Sequence, residues 1–131
     1  MFWDRMLLTF MLYFSDSAVH PDDIQVIDPA KNQVVREFSS TDRMTDAVNL
    51  LLRNRKPYVG ISIPEGLIIK IGFRDNVVMR DRTSAISITD LYIIKGKKHT
   101  VMLLFDRQNR PRVFAANDRD AQRLSRMMSL D

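Results

Sequence analysis

Three features of this sequence predict an α+β fold with a mainly antiparallel sheet, either open or curled into a partly open barrel. Residues 91–105 carry two apolar runs around a polar loop containing Gly96, the pattern of a β-hairpin. Over 41–56 and again over 118–130 the apolar period lengthens to about 3.6, which is helical. Elsewhere short alternating runs, bounded by Pro, Gly, Asn and Asp, supply enough segments for about six to eight strands.

The chain opens with residues 1–20, where the apolar run Met6 to Phe14 is broken only by Thr9. Such a run is about half the length a membrane-spanning helix needs. It suits either the core of a secretory signal or a third, packing helix, because Met6, Leu7, Phe10, Met11 and Phe14 share one helical face. Asp4 beside Arg5 removes the positive flank of a signal. The packing helix and a cytoplasmic location are therefore favoured; a signal would make the protein exported or membrane-associated.

Ile24 to Ile27 and Val34 to Phe38 form the first predicted hairpin, with Pro29 and Asn32 at its turn. Met44, Ala47, Val48, Leu51 and Leu52 then lay one apolar stripe along the first helix. Either Ser39, paired with Asp42, or Thr41 is its N-cap, and Pro57 its stop. Alternation predicts strands over Tyr58 to Ile63 and Leu67 to Phe73, joined by a turn at 64–66. Gly72 marks a bulge or a close backbone approach. A short strand at Val77 to Arg80 and another from Ala85 lead into the 91–105 hairpin. In its second strand Val101 to Phe105 are all apolar, so both faces should be covered, by helices on one side and by the N-terminal segment, barrel closure or a second subunit on the other. A last short strand is predicted at Arg112 to Ala115, with Pro111 at its start or at an edge, and Asn117 or Asp118 caps a helix bearing Ala121, Leu124, Met127 and Met128 on its inner face.

At 131 residues the chain is read as a single domain, 1–131, with 24–131 as its α+β body. It has no cysteine, so disulfides and thiolate metal sites are excluded. The net charge of +4 and pI near 9.7 allow attraction to anionic partners without specifying one.

Catalytic and cofactor-binding patterns are hard to find. His20 and His99 are far apart and lack metal-ligand spacing, no nucleophile elbow occurs, and four glycines do not make a phosphate cradle. No metal or cofactor is expected. The one compact cluster is Lys95, Lys97, Lys98 and His99 at the hairpin loop, a positive turn suited to phosphate or carboxylate. Lysines also solvate hairpin tips for structural reasons alone. Arg107, Arg110 and Arg112 form a second basic turn, and the patch gains weight if both turns share one edge of the sheet. Aromatic platforms are missing around the loop apart from Tyr92, so nucleic acid is not favoured.

From Val77 onwards, the order of features resembles the C-terminal half of bacterial pleckstrin-homology-like or GRAM-like domains. The residues that carry this are Ile88, Thr89, Asp90 and Leu91, the hairpin to Phe105, Phe114, and Asp120 and Ala121 with Leu124. The helix at 41–56 departs from that fold. The chain also resembles small exported α+β domains of Gram-positive bacteria in its strand–helix–sheet–helix order. Neither likeness transfers a ligand. The missing catalytic constellations, the doubly buried sheet and the basic turns instead suggest a non-catalytic binding or interaction module of bacterial origin that meets a protein partner or an anionic surface, with homodimerisation as one form of partner. A small enzyme whose site assembles only in three dimensions, or an exported or membrane-surface accessory protein, is the alternative.

Overall fold

A computed structural model describes residues 20–130 apart from 61, 81–84 and 106–107, so the segment predicted as a packing helix or signal lies outside the described residues. The elements are β1 (Pro21–Asp28), β2 (Gln33–Ser39), α1 (Asp42–Arg53), β3 (Lys56–Pro57), β4 (Leu67–Arg80), β5 (Ala85–Lys95), β6 (Thr100–Phe105), β7 (Pro111–Ala115) and α2 (Asp118–Met127). Seven strands form one antiparallel sheet in the order β2-β1-β4-β5-β6-β7-β3. The sheet stays open, with β2 at one edge and β3 at the other. The predicted 91–105 hairpin is β5 and β6, paired from Leu91–Leu104 to Lys95–Thr100.

Register explains the core. Val26, Ile69, Ile93, Met102 and Phe114 are successive cross-strand partners, as are Ile24, Ile71, Leu91 and Leu104 in the next row. Because side chains directly opposite one another share a face, both rows point to one side of the sheet. There they join the apolar stripes of α1 and α2 in a single core cluster. Apart from the half-buried Phe114, every residue in those rows is at most 2 % exposed. Each buried side chain of this kind stabilises the fold by about 1.5–3 kcal/mol in transfer from water.

Both helices are set by their caps. Thr41 Oγ1 accepts from the Met44 amide at 3.2 Å, so the cap is Thr41 and not Ser39. α1 ends at Arg53 with Asn54 as C-cap, so of the predicted 41–56 Thr41 is the N-cap, Asn54 and Arg55 leave the helix and Lys56 begins β3. Pro57 sits in that edge strand, where its missing N–H is least costly. For α2, Asn117 Oδ1 accepts from the amides of Arg119 (3.0 Å) and Asp120 (3.3 Å). The helix closes at Met127, short of 130, because Ser129 adopts φ 55° and two bonds reverse the chain: Ser129 N–H to Arg126 O at 3.1 Å and Leu130 N–H to Ser125 O at 2.9 Å.

The two helices run antiparallel across the sheet. Asn54 Nδ2, at the end of α1, donates to Asp120 Oδ2, in the first turn of α2, at 2.8 Å. Asp120 is only 9 % exposed, so losing this partner would leave a buried carboxylate short of a donor. At the far end of α2, Arg36 of β2 donates to the Met128 carbonyl at 2.8 Å and Lys95 Nζ to the Leu130 carbonyl at 3.1 Å. These bonds cap the helix terminus and fasten it to the sheet.

Two sequence expectations are corrected. The strand predicted over Tyr58 to Ile63 does not form; only Lys56–Pro57 pairs, with Phe114 and Ala115 of β7. This stretch must carry the chain from the β3 edge past the strand ends to β4 in mid-sheet, so it has no free strand to pair with. Val59 is 94 % exposed and Ile63 is also exposed, and the Tyr58 hydroxyl closes the loop by donating to the Ser62 carbonyl. The separate strands predicted at 67–73 and 77–80 are one element, β4, with a register shift against β5 between Gly72 and Val77. The irregularity predicted at Gly72 therefore begins there.

The face away from the helices carries the row Ile27, Ile68, Ile94 and Val101. Ile94 and Val101 are buried outside the main core. Near them the connection to β4 closes on the hairpin loop. A side chain at Gly96 would collide with Pro64, and one at Gly66 with the Lys95 carbonyl. Among the described residues this connection, rather than barrel closure, meets the second face.

Candidate binding cleft

The predicted basic residues divide into separate places. Lys97, Lys98 and His99 are exposed on the turn closed by Gly96 N–H to His99 O at 3.0 Å. Lys95 leaves that group, being half-buried and bound to the Leu130 carbonyl. Arg110 is exposed after Asn109, which takes φ 61°, and Arg112 lies in β7 opposite Leu104. Both already interact within the protein. Arg107 is outside the described residues. The two turns stand at opposite ends of β6, about 20 Å apart at the usual rise per residue, so they do not merge into one patch.

A different basic cluster forms on the helical layer. Arg43 on α1 and Arg119, Arg123 and Arg126 on α2 line an open cleft of about 770 Å³, together with Thr41, Gln122, Met44 and Met127. The antiparallel packing creates it, since the first turn of α1 comes beside the last turn of α2. Arg119, Arg123 and Arg126 stand at i, i+4 and i+7, one stripe about 10 Å long on the outer surface of α2. All four arginines are exposed; Met44 is buried and Met127 half-buried, forming an apolar floor.

Electrostatics here is one-sided. Among the described residues no carboxylate lines the cleft. Asp42, Asp46 and Asp118 lie exposed on the same helices, yet among the described residues none of the four guanidinium groups has a hydrogen bond or ion pair. The positive end of the α1 dipole is opposed by the negative end of α2 beside it, so the potential comes from the arginines themselves. Part of each first turn is already engaged, since the Met44 amide donates to Thr41 and the Arg119 and Asp120 amides to Asn117. What remains are fork-shaped donors, suited to planar bidentate pairing with carboxylate or phosphate.

Helix stability accounts for part of this cluster. Arg126, in the last turn of α2, complements the dipole. Arg43 and Arg119 do the opposite: each occupies the second position of its helix, where a cation is disfavoured by about 0.3–1 kcal/mol. That placement was the signal available in the sequence, and it points away from a purely structural role. The convergence of two helices separated by a whole sheet was not available.

Among the described residues, no group of three or more His, Asp or Glu could hold a metal ion, and no buried side-chain polar atom lacks a partner. No helix among the described residues is long and apolar enough to cross a membrane. Comparison with protein-family models, curated proteins and solved structures gives no match, so the cleft is read from its own chemistry.

Proposed function

We propose that this protein is a non-catalytic binding module that captures an anionic protein partner in the interhelical cleft. One observation carries the reading: four arginines with no hydrogen-bond or ion-pair partner among the described residues surround an apolar floor, two of them at positions that helix stability disfavours. Concavity favours a protein segment over a flat anionic surface, because side chains can enter the cleft where lipid headgroups in a bilayer plane cannot. The exposed lysine turn, convex and solvated, contributes only long-range attraction.

The test is binding of a fluorescent, glutamate-rich peptide, followed by anisotropy at low and high salt. Charge reversal at Arg43→Glu with Arg123→Glu should weaken capture by at least about tenfold, equivalent to about 1.4 kcal/mol. Lys97→Glu with Lys98→Glu should change it by no more than about twofold, through steering alone. The reverse ranking would move the site to the hairpin loop and sink this reading.

A further inference from the structure

We infer that the occupant of the cleft is an amphipathic helix bearing acidic residues beside an apolar ridge, laid along α2 as a third member of the helical layer. This rests on the anionic-partner reading and names the partner's form. The argument starts from spacing. Arg119, Arg123 and Arg126 are strung along about 10 Å of helix, close to two turns, instead of converging on one point. A single phosphate would use one of them, and three of the first-turn amides that could complete its site already donate to capping side chains, Met44 to Thr41 and Arg119 and Asp120 to Asn117.

Carboxylates at i, i+4 and i+7 of a neighbouring helix repeat at the same interval as these arginines. The floor supplies the second half of the match. Met44 and Met127 lie between Arg43 on one wall and the α2 stripe on the other, where an apolar side chain at i+3 of the partner would be inserted. Methionine suits such a contact because its unbranched thioether adapts to the shape that enters. At about 770 Å³ the cleft is too small to hold a whole helix, about 10 Å across, and fits the side chains of one helical face. Seating them places a third helix over the groove between two others, the usual helix-in-groove geometry.

The experiment compares two peptides of about 14 residues with the full chain. One places Glu at i, i+4 and i+7 with Leu at i+3; the other has the same composition shuffled so that no face is formed. Affinity is read by anisotropy and peptide helicity by circular dichroism, with inorganic polyphosphate and phosphatidylserine vesicles as further probes. The patterned peptide should bind at least about tenfold tighter than the shuffled one and gain helicity when bound. Met127→Ser, checked for folding by its thermal melt, should abolish that preference while leaving salt-dependent attraction to both peptides. Equal affinity of the two peptides for the unaltered protein overturns the helix inference but leaves an anionic partner standing. Tighter binding of polyphosphate or vesicles than of the patterned peptide also overturns it, assigning the cleft to phosphate. Failure of every anionic probe to bind at low salt overturns both readings.

Discussion

The lysine turn at 97–99 and the arginine cleft between α1 and α2 are both basic, yet they differ in everything that decides whether charge becomes recognition. On the turn, Lys97 and Lys98 project from a convex hairpin loop into water. A unit-charge pair about 4 Å apart is worth about 1 kcal/mol in bulk water and about 4 kcal/mol at the lower effective dielectric near a protein surface. Salt weakens the exposed pair more than the partly buried one. In the cleft the charges stand around an apolar floor, so a partner that enters loses water and gains both kinds of contact. A sequence scan for clustered positive charge selects the turn, because its lysines are neighbours in the chain. The cleft brings together residues 43 and 119–126, which only the fold makes neighbours.

Three substitutions test how far the two regions are separate. The largest effect is expected from Leu124→Ala, which removes a side chain 1 % exposed beneath α2. Loss of about 2–5 kcal/mol in urea unfolding should follow, with the cleft losing peptide affinity while the β5–β6 hairpin keeps its amide protection longest. If affinity survives loosening of α2, the cleft is not the site. A smaller and opposite change is expected from Arg119→Glu. Replacing a cation by an anion in the first turn should raise stability by about 0.3–1 kcal/mol, seen as a higher melting temperature, while peptide binding falls. A purely structural arginine would not combine those two outcomes. The smallest effect belongs to Lys97→Ser with Lys98→Ser, for which unfolding free energy should stay within about 0.5 kcal/mol and peptide affinity should hardly change.

Much of the fold was legible because local chemistry and tertiary position agree. The stripe from Met44 to Leu52 is helical in period and buried in fact, and Thr41 and Asn117 cap where their side chains can reach the first amides. The hairpin of β5 and β6 was readable for the same reason. Tyr58 to Ile63 misled because alternation records only which residues are apolar, and a crossover past strand ends can alternate as well as a strand can. Arg123 and Arg126 were legible as helix-terminal charges, a sufficient account for each alone. Their joint meaning needs Arg43 beside them, and that depends on antiparallel packing fixed by Asn54 and Asp120.

The path of α1 has a kinetic consequence. It takes the chain from β2 at one edge of the sheet to β3 at the other, before any of the central strands β4, β5 and β6 has been reached. A chain emerging from its N-terminus can close the β1–β2 hairpin at once, but of the buried sheet residues in the core that the apolar stripe of α1 joins, only Ile24 and Val26 of β1 are then in place. The pairs β4–β5, β5–β6 and β6–β7 zip between sequence neighbours, whereas β1–β4 and β3–β7 join distant segments. Loop closure over those distances costs entropy before contacts offset it, so the two long-range joins govern how fast this sheet assembles. The helices, and the groove between them, are consequently late products of folding.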